Sequence, residues 1–362
     1  MGERTTRLNL TQSNHSQANR RTQTYASPLS SPEATHPHPL IPPPTEIHLL
    51  LGSSPNHPCV GLIEQNLLHP VHEFLATGGK KLREEVIELG FLTAGGTLDE
   101  KHRKQLSICQ HIIEGLHAGS MIIDDVQDGS LTRRNQPTLH ERYGVAIAIN
   151  AGNWLYFQAI HQIQGLGLKA TQETHLTHYV NEIILKAHFG QALDVGTPIL
   201  SIPQEGVKPT CLAAMELKTG ALMSLAFDLG AFIADQRPLP SSLGVSLGQR
   251  FGVALQMFDD IGNFLLPPPK GKEDFINRRP SFLWAMAASD TTPLEYSEFL
   301  QCVEALPDAQ PLEKWVKHHH LIERAKTEAS QSLRSILKDL KLTSDLESRI
   351  KTLFQKLESA YV

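Results

Sequence analysis

From about residue 46 to the C-terminus, apolar residues recur at spacings of three and four, and no strand-length alternation of apolar and polar residues sets in. Leu106, Cys109, Ile112, Ile113 and Leu116 show the pattern, which lays one apolar stripe along a helix. The same spacing predicts helices near 61–75, 80–94, 145–164, 178–194, 211–234, 245–265, 321–340 and 344–361. Short breaks at Pro198, Pro203 to Gly206 and Pro238 to Pro240 separate some of them. The expected fold class is therefore all-α, a single large helical bundle packed around one core.

Residues 1–44 do not share this pattern. They hold seven of the 23 prolines and are otherwise rich in Thr, Gln, Ser, Asn and His. Such a stretch has too little apolar surface to offset the entropy of ordering it. The expected organisation is a disordered tail over 1–44 and one folded domain over 45–362. The tail carries four arginines against Glu3 and Glu33, and this acid-poor start leaves a transit peptide as the alternative to a plain tail. The match of Met1 to Thr6 to a myristoylation pattern is short enough to arise by chance. Cys59, Cys109, Cys211 and Cys302 are scattered with no CxxC pair, which suits a reducing compartment, and a cytoplasmic location is expected. A net charge of −5 argues against a nucleic-acid partner, and no run of eighteen apolar residues predicts a membrane span. The run His318 to His320, flanked by charges, suits a solvated surface better than a metal site.

Two acidic clusters stand out. Met121-Ile-Ile-Asp124-Asp125-Val-Gln-Asp128 closes an apolar helix with three carboxylates. At helical pitch Asp124 and Asp128 lie about 40° apart, with Asp125 beside them. Like charges so placed repel unless neutralised, and hard divalent cations with oxygen ligands do that. Taken singly, the cluster also suits a solvated helix end. Phe251 to Asn263 then repeats the arrangement with Asp259 and Asp260. Two such helices face to face would rim an apolar cavity with acid, where magnesium could bridge carboxylates to an anionic phosphate.

Basic residues supply the complement. Thr77-Gly-Gly-Lys80-Lys-Leu-Arg83 opens a helix with a glycine-flanked basic turn, a setting that favours phosphate. Arg133 and Arg134 follow Asp128 closely, and Lys218-Thr219 lies within an otherwise apolar helix. Each of these, alone, also suits simple solvation.

Together the residues resemble the trans-isoprenyl diphosphate synthases, and most of all the geranylgeranyl diphosphate synthases. The likeness runs in order through GGKKLR (78–83), EGLHAGSMIIDDVQDGSLTRRNQPTLH (114–140), GQALD (190–194), ELKTGAL (216–222), LQMFDDIGN (255–263) and EDFINRRPSF (273–282). The resemblance implies a helical bundle around a central cavity, usually as a homodimer, that joins isopentenyl diphosphate to an allylic diphosphate with Mg2+. It implies metal binding by Asp124, Asp125, Asp128, Asp259 and Asp260. Lys80, Arg83, His117 and Arg134 would hold isopentenyl diphosphate, and Arg133 the allylic diphosphate. Gln191, Asp194, Lys218, Thr219 and Gln256 would surround the reacting ends.

Three positions depart from the family pattern. Asn263 stands where many relatives have a third aspartate. Pro267 to Pro269 fills the stretch where a lysine is usual, leaving Lys270 or Lys272 to replace it. Arg279 stands in place of a second lysine, with a different geometry. Chain length is expected to be set one turn below Asp124, at Gly119 and Ser120, where farnesyl-forming relatives carry an aromatic residue. Gly115 would add room, with Leu116, Ile112 and Ile113 as the floor near twenty carbons; the alternative is that Gly115 and Gly119 let a neighbouring helix pack closely. A class I terpene cyclase shares DDxxD, but DDIGNFLLP (259–267) lacks the Ser or Thr of a cyclase's second motif. A non-catalytic subunit would tend to lose one acidic cluster, and both are kept here.

Overall fold

The apolar periodicity is realised as helices. A computed structural model of the chain describes residues 38–42, 47, 57–78, 82–235, 239–240, 244–267, 270–338 and 343–361. Among them the helices of eight or more residues are α1 (His69–Ala76), α2 (Leu82–Thr93), α3 (Glu100–Asp128), α4 (Val145–His161), α5 (Ala170–Gly196), α6 (Gln204–Met215), α7 (Ala221–Asp235), α8 (Arg250–Phe264), α9 (Phe282–Ser289), α10 (Pro293–Glu304), α11 (Gln310–His318), α12 (Leu321–Lys338) and α13 (Ser344–Tyr361). The periodicity does not single out α9, α10 or α11. In α9 the reason is plain: every residue from Phe282 to Ala288 is buried, so no polar face marks a period.

Local signals fix the ends of the helices that matter most. Asp99 caps α3, its Oδ1 accepting from the His102 amide at 2.7 Å, and Gly129 ends it in the left-handed conformation at φ 65°. Among the described residues one hairpin pairs Thr132–Arg133 with Gln136–Pro137. Its two central residues, Arg134 (φ 51°) and Asn135 (φ 64°), both take positive φ, as a tight two-residue hairpin turn requires.

α7 forms the centre, packed against α2, α3, α5 and α8, while α3 lies along α4. Residues Gln204–Asp235 run as one helix of 32 residues that by length and composition could cross a membrane. Of its most apolar stretch 67% is buried inside the fold, which accounts for that apolarity.

The N-terminal boundary differs from the expectation. Leu40 is fully buried, packed with Val71, Leu75, Ala118, Ile122 and Leu155. The folded part therefore begins by His38 rather than at residue 45, and residues 1–37 lie outside the described residues. A proline-rich composition hid an apolar pair, Leu40 and Ile41, that packs on the fold. Leu40→Ala is expected to destabilise the fold by about 2–4 kcal/mol, as a buried Leu→Ala change does. Urea unfolding measures it; an unchanged midpoint would show that Leu40 is not seated there.

Candidate active site

α3, α5, α8 and the junction of α6 and α7 wall a cavity of about 1050 Å³. Asp124, Asp125 and Asp128 enter it from the last turns of α3, and Asp259 and Asp260 from α8. The junction, Glu216–Gly220, is a π-helical turn. Its extra residue turns Lys218 and Thr219 into the cavity from a helix that otherwise serves the core.

Each acid of the first cluster meets a partner. Lys218 Nζ lies 3.1 Å from Asp124 Oδ1 and 2.6 Å from Asp194 Oδ2, and Gln191 donates to Asp124 at 2.8 Å. Arg133 Nε donates to both Asp125 oxygens, at 2.8 and 2.9 Å. Arg279 pairs with Asp128 at 2.6 Å. Burial pushes the Asp124 carboxyl up, but Lys218 and Gln191 outweigh it and hold the group below its usual range. For Asp128 burial wins, with Asp124 adding to it, and the pKa rises to about 6.

The second cluster is not symmetrical. Asp260 faces inward, accepting from Gln256 Nε2 at 2.7 Å and from the Phe282 amide at 2.6 Å, so it caps α9. Burial raises it to about 7 against those two donors. Asp259 has only a long contact of 3.5 Å from Asn263 Nδ2 among the described residues. Thr219 Oγ1 donates to Gln256 Oε1 at 2.6 Å, which fixes the Gln256 amide for Asp260.

The cationic side holds Arg83, Arg133, Arg134 and His117. Burial, then the charges of Arg83, Arg133 and Arg134, push His117 well below its ordinary value, so it is a neutral group among cations. Arg134 reaches Thr77 Oγ1 at 3.2 Å, linking the hairpin to the end of α1. Lys80 and the side chain of Lys270 lie outside the described residues.

Other expected positions need correction. Lys272 is buried away from the cavity, 3% exposed, with Nζ 3.0 Å from the Phe264 carbonyl and 3.3 Å from Glu313. It caps the C-terminal end of α8 and does not line the cavity. Gly119 opens no space: a Cβ there would lie 2.8 Å from the Gly152 carbonyl oxygen, and one on Gly115 3.0 Å from Ala159 Cβ. Both glycines let α3 and α4 pack closely. Ser120 and Leu116 do line the cavity, whereas Ile112 and Ile113 are core residues. Tyr156 of α4 and His188 of α5, rings 5.7 Å apart, take the expected place of those isoleucines as lining residues.

Sequence reasoning also missed Asp274, a cavity-lining carboxyl raised well above its usual range by burial, then by Asp260 and Asp194. His188 carried a usable signal, since His188, Gln191 and Asp194 recur every three residues on one helix face.

A family model described as Polyprenyl synthetase matches residues 64–318. Geranylgeranyl pyrophosphate synthase 2 of Zymoseptoria tritici is 29% identical over 204 residues, 55% of this chain and 56% of that protein. IDS-like terpene synthase 1 of Melampsora lini is 32% identical over 161 residues, covering 44% of this chain and 47% of that protein. The chain spans about half the length of most curated relatives it matches. Among solved structures, a geranylgeranyl pyrophosphate synthase from Corynebacterium glutamicum, complexed with isoprenyl diphosphate and magnesium, superposes with a TM-score of 0.68 at 21% identity, covering 87% of this chain and 94% of that one. That likeness concerns the all-α fold.

Proposed function

Because this chain belongs to the polyprenyl synthetase family, we propose that it condenses isopentenyl diphosphate with an allylic diphosphate, giving geranylgeranyl diphosphate. The observation that carries the reading is the meeting of two acidic helix ends and a cationic rim across one cavity with an apolar base. Two anions and an apolar tail need those three surfaces.

The donor set fits a hard cation. It consists of carboxylate oxygens, with Asp124, Asp125 and Asp128 on one side and Asp259 on the other. Asp260, turned toward α9, would support rather than bind. Among the described residues no three such groups converge as a closed metal site, since each acid of the first cluster is turned to a cationic or amide partner. When bound, Mg2+ would neutralise the diphosphate oxygens as the allylic carbon–oxygen bond breaks.

The remaining work falls to the chain itself. Arg133 and Lys218 face the leaving diphosphate and favour its separation. The apolar walls keep water from the allylic cation. Thr219 and Gln256, locked to each other, hold their polar atoms at the reacting end. Arg83, Arg134 and neutral His117 hold isopentenyl diphosphate so that its double bond attacks the cation. A proton then leaves to the released diphosphate, and the product is five carbons longer.

A homodimer is part of the proposal. Ile149 and Phe157 on α4 and Leu185 and Phe189 on α5 recur at spacings of four and eight, and are exposed, Phe157 to 72%. Apolar residues so arranged suit a second copy. The cytoplasm is the proposed compartment, on the strength of four cysteines held as free thiols.

Mass analysis of products from isopentenyl diphosphate with each allylic starter tests the function, and geranylgeranyl diphosphate is the expected main product. Ser120→Phe should shorten it to farnesyl diphosphate, and Tyr156→Ala should lengthen it. Cyclised hydrocarbons instead would move the protein to the terpene cyclases. An unchanged product from both variants would place the floor elsewhere.

A further inference from the structure

The segment 270–281 runs from the end of α8 to the start of α9 as a strap across the first acidic cluster. Lys272 anchors its start to Phe264 and Glu313, and three further side chains tie it to the end of α3 and the residues just after. Ser130 Oγ donates to Glu273 Oε1 at 2.7 Å, and Asn277 Nδ2 reaches the Asp128 carbonyl at 3.4 Å. Arg279 meets a single oxygen of Asp128, from Nε at 3.0 Å and from Nη2 at 2.6 Å. The same guanidinium donates to the backbone carbonyls of Gln127 at 3.2 Å and Asp194 at 3.3 Å. One planar group thus joins the ends of α3 and α5, and it is only 13% exposed. The turn that delivers it depends on Arg278 at φ 58°, with the Arg279 amide donating to the Asp274 carbonyl at 2.7 Å. A lysine, a point charge on a flexible stem, could not make this fork.

The consequence concerns Asp128. Its Oδ1 already takes two charge-assisted hydrogen bonds. A divalent cation that takes Asp128 through Oδ1 needs the lone pairs the guanidinium holds, and the two cannot share that oxygen at contact distance. The geometry points to Arg279 as a positioning residue for metal uptake. Its guanidinium neutralises Asp128 and keeps the strap, α3 and α5 in register; when a divalent cation takes Oδ1, the guanidinium leaves and the strap loosens at this point. This rests on the metal-dependent reading proposed above.

The test uses the full chain with Mn2+ alone as the probe, followed by electron paramagnetic resonance, and hydrogen exchange of amides 277–281. Removing any nearby positive charge would tighten metal binding through the field, so Arg279→Lys is the informative variant beside Arg279→Ala. The expected result is tighter Mn2+ binding, about tenfold for Arg279→Ala and about threefold for Arg279→Lys. Saturating Mn2+ should also speed exchange of the strap in the wild type. Should Arg279→Ala lose its fold, Arg279→Lys and the wild-type exchange decide the matter. Arg279→Lys binding like the wild type, or strap exchange unmoved by Mn2+, overturns the latch while the metal reading stands. Failure of all three proteins to bind Mn2+ removes the metal reading and the latch with it.

Discussion

Asp124→Ala and Asp259→Ala are each expected to lower turnover by about a thousandfold or more, roughly 4 kcal/mol of barrier. The size follows from where the charge is needed. A diphosphate leaving an allylic carbon carries negative charge that an apolar cavity cannot solvate, so each oxygen ligand that helps hold the neutralising charge acts mainly in the transition state. Both carboxylates line the cavity, one on each side of it. Far-UV circular dichroism should be unchanged in both variants, because neither carboxylate caps a helix. Asp260→Ala makes the contrast. It removes the acceptor for the Phe282 amide and for Gln256, so it should lose thermal stability as well as rate. Near-normal turnover in either of the first two variants would refute the two-cluster site. A stable Asp260→Ala protein would refute the inward placement of that group.

The second large effect lies on the opposite rim. Arg83→Ala should raise the KM for isopentenyl diphosphate by about 30-fold, the loss of a charge-assisted contact of about 2 kcal/mol. The KM for the allylic substrate should move less than about threefold. The reason is how the charges are held: Arg83 is the strongest cationic neighbour of neutral His117, whereas Arg133, which also acts on His117, is tied to Asp125. Steady-state kinetics with each substrate varied in turn decides it, and an equal rise in both constants would mean that the two anion sites are assigned wrongly.

The sequence made the chemistry more legible than the packing. Asp124, Asp125, Asp128 and Asp259 are charges at the ends of apolar helices; spacing put the first three on one face and suggested an acid-rimmed cavity, while their metal roles came from the family resemblance. Gly115 and Gly119 illustrate the opposite case. A glycine can open a cavity or admit a neighbouring helix, and only the Gly152 carbonyl across the gap says which. Lys272 has the composition of a phosphate contact, yet its ammonium closes a helix end. Asp274 and Tyr156 fell outside any acidic run or glycine turn, and their role as lining depends on how α4 and the strap are carried in. Leu40 and Ile41 are a short apolar pair in a polar, proline-rich tract, lost in any average over the tract.

The π-helical turn at Glu216–Gly220 has a consequence for how this chain can change. One residue of α-helix turns through about 100°, and the wider π turn takes up that rotation locally. α6 before it packs on α9, and α7 after it packs on α2. Removing a single residue from this turn would restore regular α-helix, leave the buried faces of α6 and α7 on their neighbours and withdraw Lys218 and Thr219 from the cavity. A one-codon deletion here would thus strike the chemistry while sparing the core. A residue lost or gained elsewhere in the 32-residue helix would have no wide turn to absorb it and would rotate the buried face beyond it off its neighbours.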